Sequence, residues 1–127
     1  MGAAGYLIDT NTIIDFSAKR LPAKAHQYVA RVIDDYPQIS VINKIELLGF
    51  NHVPEEIIAF TENAFVITLD DNIVAQTILL RKKYKIKLPD AIIAATALTF
   101  DLTIITNNTD DFKSISELQV LIPYSVS

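Results

Sequence analysis

Short apolar runs recur along the chain, each followed by a polar cluster and then by a stretch with apolar residues at helical spacing. Tyr6-Leu7-Ile8 runs into Asp9-Thr10-Asn11-Thr12, which predicts a buried strand and a turn into a short helix over 12–16. Pro22 suits the first turn of a helix over 23–35, where Ala25, Val29, Val32 and Ile33 share one side and Pro37 ends the run. Ile39, Val41 and Ile42 read as a second strand, with Asn43 capping a helix over 44–50. Pro54-Glu55-Glu56 opens the next helix, its acids placed where the helix dipole favours them. A third strand covers 65–69. Asp70 or Asp71 then caps a long helix to about Tyr84, with Ile73, Thr77, Leu80 and Tyr84 along one side. Pro89 starts an alanine-rich helix over 90–98, and strands follow at 102–105 and 120–122. Helices alternating with short, unpatterned apolar strands predict an α/β fold. The expected architecture is a three-layer α/β/α sandwich around a mostly parallel sheet of about five strands, one domain over 1–127.

Composition narrows the chemistry. The 127 residues include no cysteine, which excludes a thiol nucleophile, an iron–sulfur cluster and cysteine-bound zinc. Three glycines cannot build a Walker A loop or a dinucleotide-binding turn. His26 and His52 stand far apart, so carboxylate, hydroxyl, amide and lysine remain. The formal net charge is −4, yet Arg81, Lys82, Lys83, Lys85 and Lys87 crowd into one short segment. No apolar run approaches the roughly 20 residues of a membrane span. The N-terminus lacks a basic segment before its apolar residues, which predicts no signal peptide and a cytoplasmic domain.

Ligands of a parallel sheet bind beyond the carboxyl ends of its strands. Asp9 directly follows the first strand, and Thr106-Asn107-Asn108-Thr109-Asp110-Asp111 follows the fourth. Glu46 lies one turn into the helix after the second strand, and Asp90 opens the alanine-rich helix. Singly, these acids read as a cap, a turn, a solvated face and a dipole partner. Two details favour a shared site. The small residues after Asp90 let its helix lie against a neighbouring backbone, which puts Asp90 at the rim of a cleft. Ile42, Ile45, Leu47 and Leu48 around Glu46 argue against free solvation of that acid.

Together these segments resemble a PIN-domain ribonuclease, and within that family the VapC-type toxins of toxin–antitoxin pairs. The likeness runs through Leu7-Ile8-Asp9-Thr10-Asn11, Glu46, Leu88-Pro89-Asp90-Ala91-Ile92-Ile93-Ala94-Ala95-Thr96-Ala97, and Ile104-Ile105-Thr106-Asn107-Asn108 with Asp111-Phe112. It spans essentially the whole chain, and 90–97 is its most specific part. The resemblance implies that Asp9, Glu46 and Asp90 are acidic ligands of a Mg²⁺ or Mn²⁺ ion. Asn108 occupies a fourth slot where many members carry aspartate; its carbonyl oxygen can still face a metal, and Asp111 is positioned to supply the missing carboxylate. Asp110 is a weaker candidate. Thr106 would hydrogen-bond within the site, and Thr10, Asn11 and Thr106 would border the substrate.

The chemistry agrees with the donor set. Phosphodiester hydrolysis without histidine or cysteine calls for a hard divalent cation held by oxygens. Two carboxylates about 4 Å apart repel by roughly 4 kcal/mol at an effective dielectric near 20, so acids that converge must protonate, separate or bind a cation. Asp9 and Asp90 are the expected direct ligands, with Glu46 or Asp111 positioning the attacking water as general base. Lys83, Lys85 and Lys87 read equally as a solvated helix end and as a phosphate-contacting rim for RNA. The resemblance further implies a homodimer, and an antitoxin protein seated in a groove of the early helices, around 13–16 and 47–50. A haloacid-dehalogenase-like phosphatase would want an aspartate where Asn11 stands, and a receiver domain would want an acidic pair and a lysine that are missing. The alternative that remains is a non-catalytic PIN-like RNA- or protein-binding module, kept open by Asn108.

Overall fold

Among the described residues all strand pairing is parallel. In a computed structural model that describes residues 5–126, β1 (Tyr6–Ile8) pairs with β4 (Thr103–Ile105), which pairs in turn with β5 (Val120–Leu121). A second ladder joins β2 (Gln38–Ser40) to β3 (Phe65–Ile67). Between the ladders, β2 lies against β1, and Gln38 Nε2 donates to the Tyr6 carbonyl at 3.3 Å. The five strands therefore stand in the spatial order β3-β2-β1-β4-β5. The helices are α1 (Thr10–Ser17), α2 (Ala23–Asp35), α3 (Val41–Leu48), α4 (Glu55–Asn63), α5 (Asp71–Lys83) and α6 (Leu88–Phe100).

The layers follow from strand alternation, which sends neighbouring side chains to opposite faces. Leu7 and Ile104 pack with Ile73 and Leu80 of α5 and with Ile92 and Ile93 of α6. Ile8, Ile39 and Ile105 pack on the other side with Ile13, Val32, Leu47 and Ile57 of α1 to α4. Both faces are thus covered, as the unpatterned strands predict. Burying each such leucine or isoleucine contributes about 1.5–3 kcal/mol. Ala91, Ala94, Ala95 and Ala97 are all fully buried, so α6 meets its neighbours through small side chains, as expected of the helix that carries Asp90. Among the described residues no helix is long and apolar enough to cross a membrane.

Three boundaries differ from the sequence expectation for a capping reason, and β3 ends at Ile67 instead of running to 69. The Asp9 side chain accepts from Thr10 N, so the polar cluster read as a turn is already the first turn of α1. Val41 and Ile42 are helical rather than extended, because Ser40 accepts from Ile42 N at 3.0 Å and Asn43 returns to Ser40 N at 2.9 Å. That reciprocal capping box outweighs the strand preference of a β-branched pair, and it makes Asn43 an interior residue of α3, not its cap. The alanine-rich helix starts at Leu88, with Pro89 in its first turn, and runs to Phe100 before Asp101 turns it off at φ 55°.

Candidate active site

The carboxyl ends of β1 and β4 lie side by side, and the site grows from that edge. Asp9 N donates to the Ile105 carbonyl at 3.0 Å, which places the Asp9 side chain beside the residues leaving β4. Asp9 is buried, and both its oxygens are taken. Oδ1 accepts from Thr10 N at 2.9 Å and Asn43 Nδ2 at 3.1 Å. Oδ2 accepts from Thr106 Oγ1 at 2.8 Å and Asn11 Nδ2 at 3.3 Å. These bonds stabilise the ionised form, but burial outweighs them, and the Asp9 carboxyl is held above the usual carboxylate range with a further push from Asp111.

Glu46 reaches the same edge from α3. Its Oε1 accepts from Thr10 Oγ1 at 2.6 Å, and Thr10 Oγ1 in turn accepts from Asn43 Nδ2 at 3.1 Å. The expected apolar shielding of Glu46 is absent: Glu46, Ile45 and Leu48 are all exposed, since only Asn43 and Leu47 of that helix turn fully inward. The acid belongs to the site through its bond to Thr10 rather than through burial.

Asp90 completes the convergence from the first turn of α6. Partial burial, then the adjacent Asp111 carboxylate, then the charges of Asp9 and Glu46, push it up to about 6. Acids from four separate segments therefore feel one another's charge at one place. Asp111 lies in a short 3-10 turn (Thr109–Asp111) and accepts from Asn108 Nδ2. Asn108 N is held by Thr106 Oγ1 at 3.0 Å, so Thr106 is a hydrogen-bonding hub between Asp9, Asn11 and Asn108. Asp110 points elsewhere, into an exposed ion pair with Lys113 at 3.2 Å.

Asn43 is the site residue that sequence reasoning missed. It is fully buried, and its amide bridges Asp9 and Thr10 while its carbonyl closes the capping box. The available signal was a serine three residues before an asparagine at a helix start, which places that asparagine at the third helical position. Thr10 and Asn11, expected at the substrate border, spend their polar groups on Glu46, Asp9 and Thr106. Lys83, Lys85 and Lys87 are exposed, and among the described residues the ion pairs are Arg20 with Asp15 and Lys113 with Asp110, so these lysines stay unneutralised.

The donor set suits a hard divalent cation: its groups are carboxylates, an amide carbonyl at Asn108 and hydroxyls, with no softer ligand. Burial first, and then the neighbouring carboxylates, raise the affinity of Asp90 for a proton, and a cation would offset the second of these. Among the described residues no three acidic or histidine side chains form a ready-made cage. Direct ligation by Asp9 also requires one of its four hydrogen bonds to yield, the 3.3 Å bond from Asn11 being the longest.

Comparison with known proteins places this geometry. A family model described as PIN domain matches residues 6–118. Ribonuclease VapC of Rickettsia bellii is 31% identical over 132 residues, covering 92% of this chain and 95% of the relative. A toxin–antitoxin complex from Klebsiella pneumoniae superposes with a TM-score of 0.76 at 32% identity, over 94% of this chain and 98% of that one. VapBC-1 from nontypeable Haemophilus influenzae gives 0.72 at 27% identity, over 93% and 97%. Parallel strands, acids gathered at their carboxyl edge and a match over nearly the whole length agree: the chain belongs to the PIN-domain family, and within it is similar to the VapC-type toxins.

Proposed function

We propose that this chain is a metal-dependent endoribonuclease and the toxin of a toxin–antitoxin pair, cutting RNA phosphodiester bonds. The observation that carries the reading is the gathering of acids at the carboxyl edge of β1 and β4, where Thr10 ties Asp9 to Glu46 and Thr106 ties Asp9 to the Asn108–Asp111 turn beside Asp90. Asp90 and Asp9, with the Asn108 carbonyl, would hold Mg²⁺ or Mn²⁺, and Asp111 and Glu46 would act on it through water. When bound, the ion offsets phosphate charge and makes a bound water more acidic. Thr10 fixes Glu46 through Oε1 and leaves Oε2 free to accept a proton from an attacking water. Asn43, Thr106 and Asn11 keep Asp9 in one pose. The experiment is cleavage of a structured RNA by the purified chain with Mg²⁺ or Mn²⁺, and again after chelation. Cutting that chelation abolishes supports the reading. Binding of RNA without cutting, with either ion, replaces it with a non-catalytic RNA-binding module.

Lys83, Lys85 and Lys87 lead straight into the first turn of α6 and supply exposed positive charge next to Asp90 in the chain. They are proposed as phosphate contacts. Replacing all three by alanine is expected to flatten the salt dependence of RNA binding by about 0.7 in log–log slope per lost contact. An unchanged slope in a filter-binding series assigns them to solvation of the helix end instead.

The antitoxin partner is supported by two clefts beside α1. One, of about 570 Å³, is lined by Phe16, Ile33, Ile57 and Phe60; the other, of about 380 Å³, by Ile14, Leu47 and Phe50. Ile13 also lines the first cleft, so Ile13 and Leu47 form cleft floor while packing in the core. A homodimer is proposed as well, with the exposed Val74 and Ile78, one turn apart on α5, as apolar surface available to a second copy.

A further inference from the structure

One face of α1 grips the loop that leaves β4, residue by residue. Asp9 bonds Thr106, and Asn11 Oδ1 accepts from Asn107 N at 3.1 Å. One turn further along the same face, Asp15 Oδ2 accepts from Asn107 Nδ2 at 3.3 Å. The same Asp15 oxygen accepts from Tyr124 OH at 3.3 Å, while Oδ1 faces Arg20 at 3.5 Å. Tyr124 sits in the last 3-10 turn (Pro123–Ser125), and Val126 just after it packs against the buried cluster of Leu21, Ala25 and Val29. A chain therefore runs from the docked C-terminal segment through Asp15 to Asn107, which lies between Thr106 and Asn108.

The Asn107 side chain accepts a penalty to make this contact. Its Oδ1 is buried with no hydrogen-bond partner. Turning the amide over would aim that oxygen at the Asp15 carboxylate, so the carboxylate dictates the orientation and leaves the carbonyl orphaned. Uncompensated buried acceptors are rare in folded proteins, and one kept beside a functional loop implies that the bond it permits matters. The flanking residues are the ones that bond Asp9 and Asp111.

We propose that Asp15, a carboxylate outside the acidic cluster, is a positioning residue for the Thr106 and Asn108 side of the site, and that Tyr124 couples the C-terminal turn to it. The catalytic part of this inference rests on the nuclease reading; the loop-bracing part does not. Asp15→Ala removes the acceptor and Asn107→Asp sets two carboxylates face to face, so each disturbs the donor–acceptor match, while the reciprocal pair Asp15→Asn with Asn107→Asp restores it with the donor and acceptor exchanged. Tyr124→Phe removes a single hydroxyl at an exposed position and leaves the core intact.

Two readouts decide it. The first is hydrogen-exchange protection of the Asn107 and Asn108 amides, and the second is Mn²⁺ affinity by electron paramagnetic resonance, alongside kcat and KM on RNA. Each single variant is expected to lose amide protection, and Mn²⁺ affinity and kcat to fall on the order of ten- to a hundredfold with KM held, as typical for groups that orient ligands. Tyr124→Phe should move both readouts in the same direction by less, and the reciprocal pair should recover most of both. Wild-type protection and Mn²⁺ affinity in the singles overturns the proposal, as does a reciprocal pair no better than the worse single. Should the wild type bind no ion and cut no RNA, the nuclease reading fails on its own while the protection arm still tests the brace.

Discussion

Asp90→Asn is expected to abolish cleavage while making the metal-free protein more resistant to heat. The two effects have one cause. Asp90 is pushed up to about 6 by burial and by the charges of Asp111, Asp9 and Glu46, so removing its charge relieves repulsion in the apo state and removes what a cation needs. Loss of a group that stabilises the reaction through charge costs on the order of 10²- to 10³-fold in kcat. Asp9→Asn should lose as much activity but behave oppositely on heating. All four acceptor positions of Asp9 face donors, from Thr10, Asn43, Thr106 and Asn11. An amide there turns an NH₂ group onto two of them, and a buried group left without its partner costs about 1–3 kcal/mol. Melting both variants in EDTA, with RNA binding as a control, separates the two roles. A lower Tm for Asp90→Asn, or retained cutting in either variant, refutes the assignment.

The second large effect is on pH. An unfolded aspartate releases its proton near the ordinary 3.8, whereas Asp90 in the folded chain keeps it to about 6. Between those values the folded state holds a proton that the unfolded state has lost, so stability must fall as pH rises. The contribution is full below the lower value and gone above the upper one. Asp9, also raised, acts in the same direction. In EDTA the Tm of the wild type is therefore expected to drop more steeply from pH 4 to pH 6 than that of Asp90→Asn, and the two curves should part most above pH 6. Millimolar Mg²⁺ should close that gap by binding the ionised site of the wild type. Cleavage should climb through about pH 6 as Asp90 ionises. Parallel Tm curves for the two proteins would show that Asp90 carries no such strain.

Some of this was legible from residue order because it depends on local rules. Pro22 and Pro37 bracket α2, and Asp70 caps α5, since caps and prolines act within a turn of themselves. Short strands without polar alternation announced a sheet covered on both faces. Asp9, Glu46 and Asp90 stand out in the sequence as site candidates because carboxyl ends of parallel strands are where such folds expose chemistry. The segment at 39–42 misled, because β-branched residues read as strand while the Ser40–Asn43 capping box made Val41 and Ile42 helical.

Sequence alone thus determined the fold class, the order of elements and the acids worth watching, all of which follow from periodicity and from neighbours a few residues apart. Only the tertiary structure decided that Glu46 is exposed yet tied to Thr10, that Asn43 bridges Asp9 and Thr10, and that Asp15 reaches Asn107. Those contacts join residues more than thirty positions apart in the chain. They exist because β1 lies between β2 and β4: β2 against β1 brings the start of α3 to Asp9 and Thr10, and the β1–β4 register, Ile8 beside Ile105, brings Asn107 to Asp15. No local pattern encodes such a juxtaposition, since it is set by which strands share a ladder.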